Sequence, residues 1–208
     1  MKESEEILEP EAPEVTEAKE VRQVVFNLFG HVGYGGPVDE PKITLSSIAE
    51  KMARILDENR YSDTILEPTF LISSRGGVAD EALRIYSYLA YLPVKITTVA
   101  VGLVESAANY VYLAGKHRVC VPSSMFLFHE GHVRTNSHFN DALAGVRGEV
   151  RKSKQLIGIV ANVTGNRKLA TKWHRNTFVL SAEEAKEAGL VHEIKDVLFL
   201  KDSAMGTG

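Results

Sequence analysis

At 208 residues, with 44% hydrophobic and 25% charged content, the chain is long and apolar enough to bury one substantial core. Its formal net charge of −3, without a basic stripe, gives no electrostatic reason to expect a nucleic acid partner. One cysteine, Cys120, rules out an intrachain disulfide and a cysteine metal cluster, and Lys95, Glu105 and Lys116 break up the best candidate for a membrane span.

Residues 1–22 are rich in Glu, with Pro10 and Pro13, and cannot bury enough apolar surface to offset the cost of ordering, so a mobile acidic tail is expected. The tail is not basic and apolar, so it is not read as a secretory signal, and a cytoplasmic location is expected. Val24-Val-Phe-Asn-Leu-Phe29 reads as the first strand. Ile43 to Arg60 reads as an amphipathic helix with Ile48, Met52, Ile55 and Leu56 on one face. Thr69 to Ser73 and Lys95 to Val101 read as buried parallel strands. They are separated by a helix carrying Ala82, Leu83, Ile85, Tyr86 and Leu89. This alternation predicts an α/β fold with crossover connections. Cys120 to His129 reads as a short apolar strand, and His138 to Thr164 as one long helix with Gly148 or Gly158 as candidate kinks. The folded domain is placed at 23–198, and 199–208 as a flexible C-terminal tail.

Three features carry chemistry. Ser106 stands where the apolar stretch from Lys95 runs through Gly102 into the small-residue segment Ser106-Ala-Ala-Asn-Tyr. It should therefore open a helix at a strand end. The first N–H groups of a helix lack intrahelical partners and favour negative charge, so an oxyanion formed there would be stabilised; the competing reading is a plain N-cap. Phe70-Leu-Ile-Ser-Ser-Arg-Gly76-Gly77 ends a strand in a glycine pair, which permits positive φ and close backbone approach. His129 ends an apolar strand, and histidine, with an unperturbed pKa of roughly 6.5, is the side chain suited to a general base near neutrality.

In this order the segments resemble the proteolytic subunit of the Clp protease, a family of self-compartmentalised serine peptidases. The matching elements are Ser74 to Gly77, Gly102 to Ser106, Ala114-Gly115, the Cys120 to His129 run, Thr164-Gly165, and Leu180-Ser-Ala-Glu-Glu-Ala to Val191. The resemblance spans about Val24 to Asp196. It implies a Clp protease and crotonase-like spiral of β-β-α units with a protruding handle helix. By position it makes Ser106 the nucleophile, His129 the general base, and the Gly77 and Ala107 amides the oxyanion hole. It also implies heptameric rings that pair into a fourteen-subunit chamber for unfolded polypeptide. An AAA+ ATPase partner belongs to the family, but the residues before Val24 do not match its axial loop. No cofactor or metal is called for.

Several positions depart from that pattern. The family aspartate falls on Thr177, beside Asn176, and neither is charged, although either could accept the histidine N–H. Glu105 replaces a small residue before the nucleophile, and Arg75 replaces a proline before the glycine pair. After His129, Glu130-Gly-His-Val-Arg-Thr replaces a Gln-Pro continuation. Three readings result: a serine endopeptidase with an atypical third triad member, a catalytically weak ring subunit with a structural or regulatory role, and a crotonase-like acyl-CoA enzyme. Ser106 and His129 together favour the first, Thr177 and Glu105 the second.

Overall fold

The computed structural model describes residues 19–34, 39–131 and 138–196. Residues 1–18 and those from 197 onward, which hold most of the expected 1–22 tail and the whole 199–208 tail, lie outside the described residues, as does most of the segment that follows His129, whereas Glu20 to Arg22 of the expected tail belong to the first strand.

The first strand, β1 (Glu20–Phe29), begins four residues earlier than its apolar pattern suggested, because it pairs in parallel along its whole length with β4 (Thr64–Ser74). Its alternation places Val24, Phe26 and Leu28 against the core and leaves Val21, Val25 and Phe29 exposed. Two short strands follow, β2 (His31–Val32) and β3 (Lys42–Ile43), which pair with each other. Helix α1 (Leu45–Tyr61) therefore starts two residues later than its periodicity predicts. Its N-cap is Thr44, whose side chain accepts the Ser47 N–H, and the buried Glu81 carboxylate accepts the Leu45 N–H at 2.6 Å. Ile48, Met52 and Ile55 form its buried face, as its spacing requires.

Helix α2 (Ala79–Ala90) buries Ala82, Ile85 and Leu89 and leads to β5 (Thr97–Glu105). Then come α3 (Ala107–Leu113), β6 (His117–Cys120) and β7 (Met125–Phe128). The run from Cys120 to His129 is thus two strands, not one. Cys120 closes β6, and a turn in which the Ser124 N–H bonds the Val121 carbonyl at 3.0 Å separates it from β7. Pro122 has no N–H to donate, which fits a break in the ladder. The 26-residue α4 (Phe139–Thr164) ends at Gly165, whose φ of 65° supplies a left-handed C-cap. The chain finishes with α5 (Arg167–Arg175), β8 (Phe178–Ser181), α6 (Ala182–Glu187) and β9 (Glu193–Ile194). No helix among the described residues is long and apolar enough to cross a membrane.

The main sheet runs β1-β4-β5-β6-β9, all parallel, so the predicted α/β class is the one observed. It forks at β5. Thr97 to Ala100 pair with β6, whereas Leu103 to Glu105 pair with β7, and Gly102 with φ 105° lies between the two halves. The β4–β5 register also shifts between Ile72 and Ser74. The fork fixes the site. Because β5 and β7 are parallel neighbours with Glu105 opposite Leu127, the residues that follow them, Ser106 and His129, emerge at the same end. β8 then pairs antiparallel with β7 and closes that branch.

Candidate active site

Ser106 has φ 51° and ψ −122°, and it is the one non-glycine residue with positive φ among the described residues. Such a conformation costs on the order of 1–3 kcal/mol and persists only where its surroundings hold it. Three bonds do so here. The Ser106 N–H donates to the Leu127 carbonyl at 2.8 Å, and Asn109 Nδ2 donates to the same carbonyl at 2.7 Å and to the Ser106 carbonyl at 3.3 Å. Ser106 occupies the N-cap position, yet its hydroxyl makes no capping bond. The hydroxyl is therefore not spent on the helix terminus, which was the competing reading.

The Gly76-Gly77 loop lies against this elbow. A Cβ on Gly76 would sit 2.6 Å from the Glu105 carbonyl oxygen and 2.9 Å from both the Ala107 nitrogen and Ser106 Cβ, so only glycine permits the approach. The loop is pinned from behind: Val32 N–H donates to the Gly76 carbonyl at 2.9 Å, Val78 N–H to the Val32 carbonyl at 2.8 Å, and Gly76 N–H to Ser74 Oγ at 3.0 Å. Among the described residues no protein acceptor takes the Gly77 or Ala107 N–H. Two unspent amides beside a strained serine can bind a developing oxyanion.

His129 borders the same cavity as Ser106, a space of about 310 Å³. Its Nδ1 lies 2.7 Å from the Glu130 carbonyl oxygen. A carbonyl oxygen only accepts, so Nδ1 carries the hydrogen and Nε2 keeps its lone pair, the tautomer a general base requires. Ser106 Oγ makes no hydrogen bond among the described residues; such contacts commonly tighten only with substrate bound.

The expected third member is placed differently. Phe128 pairs with Phe178 at the end of the β7–β8 ladder, so His129 and Thr177 are the next residues along it. Thr177 is exposed and takes part in no hydrogen bond among the described residues. Asn176 is exposed too, and its Nδ2 donates to the Lys172 carbonyl at 2.9 Å. Proximity in register is present, but neither Thr177 nor Asn176 is hydrogen-bonded to His129.

Sequence reasoning missed four residues. Asn109 is 1% exposed, a polar side chain inside the apolar run Ala107 to Leu113, and that mismatch was the available signal. His174 is 6% exposed, with Nε2 2.6 Å from Ser153 Oγ, and both residues border the cavity. Its Nδ1 has no partner among the described residues. Burial pushes its pKa down; the Glu130 charge opposes this, and the nearby His129 and Arg175 reinforce it. Lys152 bonds Asp80 and Glu149 at 2.7 Å each, tying α4 to the first turn of α2 just beyond the glycine loop. Phe128 stacks on Trp173 at 5.4 Å, which seats α5 under the same cavity.

A family model described as Clp protease matches residues 31–197. The ATP-dependent Clp protease proteolytic subunit 3 of Rhizobium etli is 31% identical over 127 residues, covering 59% of this chain and 65% of the relative. Subunit 2 of Borreliella burgdorferi is 31% identical over 143 residues, covering 64% and 69%. This chain thus spans under two thirds of the Rhizobium protein's length. A solved structure of a mutant ClpP1 from Listeria monocytogenes matches with a TM-score of 0.66 at 21% identity, over 84% of this chain and 92% of that one, a likeness of fold.

Proposed function

The chain belongs to the Clp protease family, and from that premise we propose that it is a serine endopeptidase cleaving unfolded polypeptides. The observation that carries the reading is Ser106 held at positive φ against the Gly76-Gly77 loop, in one cavity with a histidine of the correct tautomer. His129 Nε2 takes the Ser106 proton as Oγ attacks the scissile carbonyl. The Gly77 and Ala107 amides receive the oxyanion, each contributing roughly 3–4 kcal/mol to the transition state. The imidazolium then protonates the leaving amine, and water repeats the cycle to release the acyl-enzyme.

The Glu130 carbonyl offers a dipole toward the imidazolium, a weaker stabilisation than the charge of a carboxylate in that place. That same feature favours a second reading, a ring subunit with weak activity and a structural or regulatory role. Assembly fits both. Phe139, Leu143, Val146 and Val150 recur on one side of α4 and are exposed, a stripe suited to a second copy of the chain. The family's heptameric rings, paired into a tetradecamer, would enclose the cavity in a cytoplasmic chamber, and the relatives' description as ATP-dependent suggests an AAA+ ATPase as feeder.

The test is digestion of unfolded casein by the wild type, Ser106→Ala and His129→Ala, with native mass spectrometry of each. Cleavage lost in both variants with the oligomer retained supports the peptidase. An intact oligomer without cleavage in any of the three leaves the weak-subunit reading.

A further inference from the structure

We propose that the Ser153–His174 pair sets the substrate preference of the cavity beside Ser106, selecting polypeptide sites where the residue whose carbonyl is attacked carries a side-chain carboxamide, Gln or Asn. The inference rests on the serine peptidase reading and names its substrate class.

The pair joins two elements. Ser153 lies on α4, His174 on α5, and the 2.6 Å contact between Oγ and Nε2 lies at the cavity that Ser106 and His129 also border. His174 is 94% withdrawn from solvent, with a relative exposure of 6%, and its Nδ1 has no partner among the described residues. With no bond at Nδ1, nothing fixes the tautomer of the ring, so its proton can sit on either nitrogen.

The protons of the pair can be arranged in two ways. Either Ser153 donates to Nε2, so that Oγ is an open acceptor, or Nε2–H donates to Oγ, so that the hydroxyl is an open donor. Nδ1 itself is buried, so the pair meets a ligand through Ser153 Oγ, as acceptor in one arrangement and donor in the other. A carboxamide offers one of each and finds a match in either arrangement. A carboxylate offers acceptors alone, and an alkyl or thioether chain offers nothing of equal strength.

Charge points the same way. Lys152, the cation beside Ser153, is already held by Asp80 and Glu149. Burial disfavours the charged form of His174. The other charged residues bordering the cavity, Lys154, Arg175 and Glu130, are exposed and screened by water. Leu156, Ile157 and Phe128 supply apolar wall for the methylenes of the substrate side chain.

The experiment uses the full chain and two blocked fluorogenic peptides that differ only in Gln or Met at the cleaved residue, side chains of similar length. The wild type should show kcat/KM about tenfold higher for Gln, the scale of a hydrogen bond made rather than left unmade. Ser153→Val and His174→Leu should each bring the ratio close to one. Partial unfolding slows both peptides alike, so the ratio isolates recognition. Equal or greater turnover of the Met peptide by the wild type, or a ratio retained in both variants, overturns the proposal. A second readout separates it from the peptidase reading: calorimetric binding of product peptides ending in Gln or Met to Ser106→Ala. If neither fluorogenic peptide is cleaved but the Gln product binds about tenfold tighter, catalysis fails and the recognition pair stands. Equal binding of the two products removes the recognition pair.

Discussion

His129 Nδ1 donates to the carbonyl oxygen of Glu130, its own neighbour in sequence, at 2.7 Å. The main chain therefore does part of the work usually given to a carboxylate: it fixes the tautomer and the ring direction but contributes only a dipole toward the imidazolium. Thr177 sits one position beyond the Phe128 and Phe178 pair, beside His129, and its side chain makes no hydrogen bond among the described residues. Thr177→Ala should leave the rate of fluorophosphonate labelling unchanged. Thr177→Asp should raise it by about tenfold, less than a whole triad aspartate is worth because the tautomer is already correct. A large loss in Thr177→Ala would show that the hydroxyl, not the carbonyl, positions the ring.

Asn109 binds the Leu127 and Ser106 carbonyls together, coupling the strand that delivers His129 to the nucleophile's own backbone. Asn109→Ala should lower stability by roughly 1–3 kcal/mol, the cost of the two carbonyls losing a buried donor. It should also slow acylation of Ser106 by about tenfold or more through misplacement of the elbow. Denaturant titration alongside labelling kinetics checks both. Unaltered labelling in a destabilised but folded variant would reduce Asn109 to a packing residue.

Gly76→Ala tests the loop. Its Cβ would meet the Glu105 carbonyl at 2.6 Å and the Ala107 nitrogen at 2.9 Å, both backbone atoms, at a φ of 89°. No side-chain rotation relieves such a contact, so a cost above about 2 kcal/mol is expected together with loss of labelling. A variant of wild-type stability and reactivity would mean that the loop does not press against the elbow in solution.

Local sequence carried the framework well. The strand into Gly76-Gly77, the α1 face of Ile48, Met52 and Ile55, and the strand-to-helix turn at Ser106 all follow from periodicity and small residues over short windows. The site's remaining parts depend on packing between distant segments. Ser153 meets His174 only because α4 folds back on α5, and no spacing rule links positions 21 apart across a helix end. The Glu130 carbonyl was illegible for another reason: every residue has one, so its use as an acceptor is a matter of backbone direction. The division of Cys120 to His129 into β6 and β7 was readable in principle from Pro122, but the apolar composition on either side masked it.

Burial lowers the pKa of His174, and burial with the adjoining Arg118 and His117 lowers that of His192. A histidine whose folded pKa is depressed binds fewer protons folded than unfolded. Its contribution is fully present above the unfolded value of about 6.5 and is lost as pH falls from there toward the lowered folded value. The Tm of the wild type should therefore drop between neutral pH and the mid-acid range. The drop should be smaller in His174→Leu, measured by calorimetry at matched ionic strength. Identical pH slopes in the two proteins would remove His174 as a source of acid sensitivity.

The most direct measurement is intact-mass spectrometry of the full chain after reaction with a fluorophosphonate, followed by peptide mapping. One adduct per chain on Ser106, absent from Ser106→Ala and strongly slowed in His129→Ala, is the expected result. An unmodified wild-type chain, or an adduct on another serine that survives Ser106→Ala, would contradict the assignment of Ser106 as an activated nucleophile.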